Sequence, residues 1–287
     1  MNETIQFKKQ RELGAILTDT FAFIRQNWKS LFGMILKIAG PGLVLLVFAY
    51  IFYMQSTLGN IGTLGGGSVE SFTGKFFLAL FLLFVAGMIY NALLYGTVIY
   101  YIKSYINNDG IINKEEVSQG VRKDFLSLLG MSFLVGLMVG VGFIFCLVPG
   151  IYLGVVLITV YCVFIFEQKG VIESISYCFD LVKNNWWITF GTVLVMGIIY
   201  YVVLIIFQIP NYIYFFIKSF TAAQEVTSDP SSLFDAGYIA ISSIGVIAQY
   251  LLLVIMVICG AFIYFDLNEK KNFTGTMEQI DSLGERE

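Results

Sequence analysis

Two stretches of this chain carry the same order of apolar and polar residues. Phe21 to Gly33, FAFIRQNWKSLFG, is echoed by Phe179 to Gly191, FDLVKNNWWITFG. At a constant offset Phe21, Asn27, Trp28, Phe32 and Gly33 recur as Phe179, Asn185, Trp186, Phe190 and Gly191, and Ile24, Arg25 and Gln26 recur conservatively as Val182, Lys183 and Asn184. Chance gives roughly one identity in so short a window. A weaker third copy lies between them, with Val121, Arg122, Asp124, Phe125 and Gly130 in the places of Ile24, Arg25, Asn27, Trp28 and Gly33. Each copy is amphipathic and runs straight into a long apolar segment. The pattern predicts an all-α, polytopic membrane bundle of six transmembrane helices, built as three repeats of an amphipathic elbow helix plus two spans. The repeats cover about 12–106, 113–168 and 171–268, with a polar tail over 269–287, in one membrane domain of 1–287.

Residues 1–10 are polar and read as loose. From Glu12 the apolar positions Leu13, Leu17, Phe21, Ile24, Trp28 and Leu31 have helical spacing along one face, with Asp19, Arg25, Gln26 and Lys29 on the other. Such a helix suits the membrane interface, with Trp28 at headgroup depth. The first span, about 31–54, holds Lys37 and the triplet Gly40-Pro41-Gly42, where proline removes a donor and predicts a kink. A Gly- and Ser-rich loop over 55–74 leads to a second span of about 76–102, with Asn91 near its middle. Asn107 to Gly110 reads as a turn, and Asn113 with Glu116 as a capping-box-like helix start.

The second elbow turns Val117, Val121, Phe125 and Leu128 to one side and enters a third span of about 126–147. Pro149-Gly150 predicts a tight return into a fourth span ending near 166. The pairs Gly136/Gly140 and Gly150/Gly154 have the small-residue spacing that lets helices approach, and are expected to pack spans three and four together. The third elbow places Ile172, Ile175, Phe179, Val182 and Trp186 on one face and Glu173, Ser176, Asp180 and Lys183 towards water. The fifth span, about 187–209, is interrupted by Pro210, and Tyr212, Tyr214, Phe215 and Phe216 suit an outer aromatic belt. After a polar loop over 220–237 comes a sixth span of about 238–265 with Gln249 inside.

Composition agrees with a bilayer address. The 287 residues are 57% hydrophobic and 13% charged, with a mean hydropathy of +0.80. A soluble domain is about half apolar and a quarter charged, and the apolar runs here reach the about 20 residues a helix needs to cross a membrane. A net charge of -3 gives no reason to expect nucleic acid. The chain has no histidine, which removes most transition-metal sites and Ser-His-Asp triads. Cys146, Cys162, Cys178 and Cys259 form no CxxC pair and read as small apolar residues. No cofactor or metal is expected. The charges in the first 30 residues leave no room for the apolar core of a cleavable signal.

Basic residues set the orientation. Lys8, Lys9, Arg11, Arg25, Lys29, Lys103, Lys114, Arg122, Lys123, Lys169, Lys183, Lys270, Lys271 and Arg286 fall on one set of connections, and only Lys75 and Lys218 on the other. The positive-inside rule predicts both termini and all three elbows in the cytoplasm.

The Trp28 and Trp186 elbows, the turn Leu147-Val148-Pro149-Gly150-Ile151-Tyr152 and the exit Tyr264-Phe265-Asp266-Leu267, followed by Asn268, Glu269, Lys270 and Lys271, carry a family resemblance. Together they resemble uncharacterised bacterial six-span proteins related to the membrane domain found beside glycerophosphoryl diester phosphodiesterases. The resemblance implies a membrane architecture in the bacterial inner membrane. It leaves the activity open, since in that family the hydrolase activity belongs to a separate soluble domain and nothing here resembles that domain.

Lys37 is the sharpest candidate for binding, because a charge inside a span costs roughly 2.5 kcal/mol or more. It could meet a lipid phosphate, or snorkel to the headgroups. Asn91 and Gln249 could line a polar path, or bridge helices for about 1 kcal/mol. The elbow residues Arg25, Trp28, Arg122, Phe125, Lys183 and Trp186 could recognise anionic lipid at roughly 1 kcal/mol per cation. The serines Ser132, Ser242 and Ser243 lack a recognisable base, so no catalytic residue is expected. The expected partners are membrane lipids, with a protein partner or a second copy also open. The expected role is a non-enzymatic, lipid-interacting membrane protein. The alternatives are a small transporter or flippase, for which internal repeats and a broken span are common, and a scaffold subunit.

Overall fold

The computed structural model describes residues 4–57, 69–221 and 234–277, with side chains from residue 73 onward in the second stretch. Ten α-helices account for nearly all of them: α1 Leu13–Ile38, α2 Gly40–Thr57, α3 Val69–Asn107, α4 Lys114–Phe145, α5 Leu147–Leu157, α6 Val160–Glu167, α7 Val171–Val182, α8 Trp186–Thr221, α9 Ala236–Leu252 and α10 Val254–Asn272. Among the described residues there is no β-strand. Six helical runs are long and apolar enough to cross a membrane: Gly40–Thr57, Thr73–Asn107, Lys114–Phe145, Leu147–Glu167, Val171–Thr221 and Ala236–Asn272. The expected all-α bundle of six transmembrane helices is what the chain forms. The loops expected over 55–74 and 220–237 and the end of the tail lie largely outside the described residues.

Two compact units share the chain. The first comprises Met1–Ala39, Asn91–Ile199 and Val254–Glu287; the second comprises Gly40–Tyr90 and Tyr200–Leu253. In the first, α1 packs on α10, α4 on α5, and α7 on α5 and α6. Its N-terminal segment is not loose. Phe7 is only 3% exposed. Its ring stacks on Phe262 at 4.6 Å and meets Phe23, Tyr105 and Phe265 edge-on. Polarity in the first ten residues hid one aromatic anchor, whose burial is worth roughly 2–3 kcal/mol.

Arg11 completes that anchor. Its guanidinium is buried, which lowers its pKa, yet an arginine stays charged in proteins. It donates to Asp19 at 2.8 Å, to the Phe7 carbonyl at 2.6 Å and to the Gln6 carbonyl, and lies 4.8 Å over the Phe262 ring. The Arg11 backbone N–H donates to Asp266 at 2.7 Å, and Lys270 donates to the other oxygen of Asp266 at 2.7 Å. Buried Glu269 accepts from the backbone N–H of Gly275 and Thr276. Every buried charge in this cluster has a partner, as burial requires.

The helices break where the sequence carries helix-stopping residues, with local differences from expectation. α1 runs unbroken from the elbow to Ile38 and ends at Ala39, so Pro41 sits in the first turn of α2. That position suits proline, whose missing N–H would be unpaired there anyway. The expected mid-span kink is thus a break between helices, and the first apolar run starts at Gly40 rather than near residue 31. Pro210 does not interrupt the fifth run; α8 continues through it to Thr221. A membrane helix tolerates an internal proline where neighbours re-satisfy the freed carbonyl. Asn113 caps α4 as expected, its side chain accepting from the Glu115 and Glu116 N–H at 3.1 and 3.2 Å. Glu116 does not close the box, and bonds Ser104 and Asn108 instead.

The return between α4 and α5 is a single extended residue, Cys146. So short a link needs helices with no side chain between them. A Cβ on Gly142 would stand 3.0 Å from the Gly150 Cα, and one on Gly150 would stand 2.6 Å from the Phe143 ring. Of the four glycines singled out by spacing, Gly150 is thus at the close approach, whereas a Cβ on Gly136, Gly140 or Gly154 would meet no atom within 4 Å. The close approach therefore uses Gly142 and Gly150. Gly150→Val should lower the unfolding temperature in detergent, at a cost of about 1–3 kcal/mol for overpacking. Gly136→Val should leave it within error, and the reverse order would place the contact on the other glycine pair.

Candidate membrane-interface site

The second elbow buries the marked residues Val117, Val121 and Leu128, whereas the first and third bury largely a different edge from the one that hydrophobicity marked. In α1 the buried residues are Ile16, Thr20, Phe23, Leu31, Met34 and Ile35, while Phe21 and Trp28 are exposed. In α7 they are Ser174, Cys178, Leu181 and Val182, while Ile172 is exposed. Small hydroxyl residues can hold the packed edge because they satisfy themselves: Thr20 donates to the Ile16 carbonyl at 2.7 Å and Ser174 to the Gly170 carbonyl at 2.9 Å. This leaves apolar side chains facing outward beside the cations.

Arg25, Arg122 and Lys183 are all exposed, and none has a carboxylate within ion-pair distance among the described residues. Trp28 is 54% exposed, with the Lys29 ammonium 5.6 Å from its ring. Phe125 is half-buried. Trp186 is half-buried between Phe190 and Tyr152, stacked at 5.2 and 5.7 Å, and Trp187 beside it is 77% exposed. The Trp186 ring N–H is buried without a partner. Only the third elbow is a separate helix, joined to α8 by a 3-10 turn at Lys183–Asn185; the first two are continuous with the rest of α1 and α4.

The three mid-span candidates stand in different settings. Lys37 is exposed in the last turn of α1, two residues before the break at Ala39. Asn91 is half-buried on α3. Gln249 belongs to the second unit, and its side chain is exposed. There the backbone matters more: the Gln249 carbonyl accepts from the Tyr200 hydroxyl at 3.1 Å and the Tyr250 carbonyl from the Tyr90 hydroxyl at 2.8 Å. These donors serve the end of α9, just before the helix breaks at Leu253.

Sequence reading missed a crevice of about 670 Å³ in the first unit, lined by Tyr100 and Lys103 of α3, Glu116, Lys123 and Asp124 of α4, and Lys169 after α6. Gly120 lets the Tyr100 ring pack against α4 in its wall, since a Cβ there would meet that ring at 2.5 Å. The Tyr100 hydroxyl donates to Asp124, and Lys103 donates to the Ile165 carbonyl at 3.0 Å. These lysines were visible in the sequence only as orientation signals, because their convergence depends on how α3, α4 and α6 pack.

The model of one protein family matches residues 70–228, more than half of the chain. The chain belongs to UPF0259, an uncharacterised protein family. No curated protein and no solved structure matches it. The UPF0259 match takes in the crevice, Asn91, Arg122, Phe125, Lys183 and Trp186, and leaves Arg25, Trp28, Lys37 and Gln249 outside.

Beyond the UPF0259 segment, Asp235 caps α9, accepting from the Tyr238 N–H at 2.9 Å, from Tyr214 and from Lys218 at 2.7 Å. Lys218 above all, with the other donors, holds the carboxyl down to about 2. A carboxyl lower in the folded than in the unfolded chain adds stability above the unfolded value of about 3.9, and loses it as pH falls through the folded value. Carbon NMR of the Asp235 carboxyl should therefore show titration near 2, moving upward in Lys218→Gln. Titration near the free value would remove the cap.

Proposed function

We propose that the chain is a non-enzymatic, lipid-interacting protein of the bacterial cytoplasmic membrane, with both termini and the three elbows on the cytoplasmic side. The observation that carries this reading is the pairing, at each elbow, of an unpaired exposed cation with an aromatic side chain: Arg25 with Trp28, Arg122 with Phe125, Lys183 with Trp186. Aromatic rings settle at headgroup depth and cations next to anionic lipid. The six apolar runs and the one-sided basic residues support the address.

Burial supports the triplicated unit. At the repeat offsets, Thr20, Val117 and Cys178 are equivalent, as are Leu31, Leu128 and Thr189, and Met34, Met131 and Thr192; all nine are buried. Between the first and third copies Ile16 with Ser174 and Phe23 with Leu181 extend the match. One helix face thus serves the same packing role three times. The kinship with membrane domains found beside glycerophosphoryl diester phosphodiesterases belongs to this proposal and rests on the elbow, turn and exit residues.

The hydroxyls that could serve as nucleophiles are committed elsewhere. Ser132 pairs with the Tyr161 hydroxyl at 2.8 Å, and Ser242 and Ser243 donate to the Ile239 carbonyl at 3.0 and 2.7 Å. A transport path through Lys37, Asn91 and Gln249 lacks equivalent support, because Lys37 stands at an exposed helix end.

The test uses the chain's own tryptophans, in vesicles of brominated lipid. Brominated phosphatidylglycerol should quench them more than brominated phosphatidylcholine does. The variant R25Q/R122Q/K183Q should lose that preference, by about fivefold per cation removed. Preference unchanged in the variant would end the elbow reading.

A further inference from the structure

The crevice beside the second elbow has a charge arrangement that the elbows do not explain. Lys103, Lys123 and Lys169 line it together. None of them has a carboxylate within 4.0 Å among the described residues. The two carboxylates in the same crevice are turned to neutral donors: Asp124 to the Tyr100 hydroxyl, and Glu116 to Ser104 at 3.1 Å and Asn108 at 3.3 Å. Lys169 lies 4.8 Å from the centre of the Tyr177 ring, which Lys271 approaches at 4.6 Å, so two like charges share one aromatic surface. Ammonium groups that cluster without acidic partners repel one another. An arrangement of this kind is relieved by an anion from outside the chain.

We propose that this crevice binds a phosphate-bearing anion. Lysine is a point-charge donor suited to phosphate, and a volume of about 670 Å³ accommodates a headgroup-sized molecule. Depth points the same way. Tyr100 and Lys103 stand at the end of the apolar run of α3, where the helix leaves its hydrophobic stretch and enters the polar turn at Asn107 to Gly110. That is the level at which lipid phosphates lie. The phosphate is carried either by an anionic lipid or by a soluble ester; the lipid source rests on the function proposed above, and the crevice itself does not. Lys103, already oriented by the Ile165 carbonyl and 5.9 Å from the Tyr100 ring centre, forms the inner wall. Lys123 and Lys169 close on the anion from α4 and from the turn after α6.

Purified full-length protein would be tested against two probes. Phosphatidylglycerol against phosphatidylcholine, in lipid nanodiscs, is read by native mass spectrometry of retained lipid. Glycerol 3-phosphate is read by titration calorimetry. The variants are K103Q/K123Q/K169Q and, to keep the Lys103 bond to Ile165, K123Q/K169Q; K123R/K169R retains the charges. The expected result is preferential retention of phosphatidylglycerol by the wild type and by K123R/K169R. It should fall about twenty- to thirtyfold in the double Gln variant and on the order of a hundredfold in the triple, while R25Q/R122Q/K183Q, which removes the elbow cations, keeps glycerol 3-phosphate binding at wild-type strength. If glycerol 3-phosphate binding falls in the Gln variants and lipid retention does not, the crevice stands as a site for a soluble ester and its lipid source is overturned. If lipid retention falls only in R25Q/R122Q/K183Q and glycerol 3-phosphate binding is unchanged in the Gln variants, the elbows bind lipid and the crevice proposal is overturned. Binding of both probes at wild-type strength in K123Q/K169Q overturns it as well.

Discussion

Inside a bilayer there is no water to complete a backbone hydrogen bond, so each place where an apolar helix stops must be resolved by the protein itself. The chain interrupts its apolar runs at Ala39, at Cys146, at Ile158–Thr159 and at Leu253. Proline in the first turn of α2 removes one donor that would otherwise be unpaired. Tyr90 and Tyr200 supply hydroxyls to carbonyls in the last turn of α9. At Ile158 the neighbouring helix comes close: Gly260 presents no side chain, and a Cβ there would lie 3.1 Å from the Ile158 carbonyl oxygen. The neighbouring Thr159 donates to the Cys178 sulfur at 3.6 Å. The tyrosines and glycines of this composition thus have definite places.

The polar end of the first unit is organised by the same requirement applied to charge. Burying Arg11 is costly unless its donors are filled, and breaking such a cluster by removing one partner typically costs about 3–5 kcal/mol. Asp19, the Phe7 carbonyl and the Phe262 ring fill its needs, and Asp266 ties the same segment to α10. Because α1 packs on α10, this cluster fixes the helix that carries the first elbow. The crevice has the opposite character. There Lys103, Lys123 and Lys169 have no carboxylate within 4.0 Å among the described residues, and that contrast in charge satisfaction is the ground on which the crevice is proposed as a binding site.

Much of the architecture was legible in the sequence, since runs of about 20 apolar residues separated by turn residues mean spans in any context. The recurrence around Trp28 and Trp186 was legible too, and the repeated elbow drawn from it belongs to the proposed function. What periodicity could not supply was which edge of an amphipathic helix meets protein and which meets lipid. Both edges are apolar, and Thr20, Ser174 and Cys178 pack inward by bonding back to their own helix or by being small. Residues 31–54 read as one run, and the break at Ala39 that divides it was legible only as an expected kink at Pro41; it leaves Lys37 in the last turn of α1. Gly150 was legible as a packing glycine, but its partner Gly142 was hidden by the more regular spacing of Gly136 and Gly140. The crevice was not legible at all, because its lysines come from three separate elements.

Membrane topology is the most direct test of the proposed six-span arrangement. Single cysteines at Lys8, Asp109, Lys169 and Thr221, in a chain whose own four cysteines are alanine, would be probed with a membrane-impermeant maleimide in intact cells. Thr221 should react in intact cells, and the other three only after the membrane is opened. Reaction of Asp109 and Thr221 from the same side would contradict the arrangement.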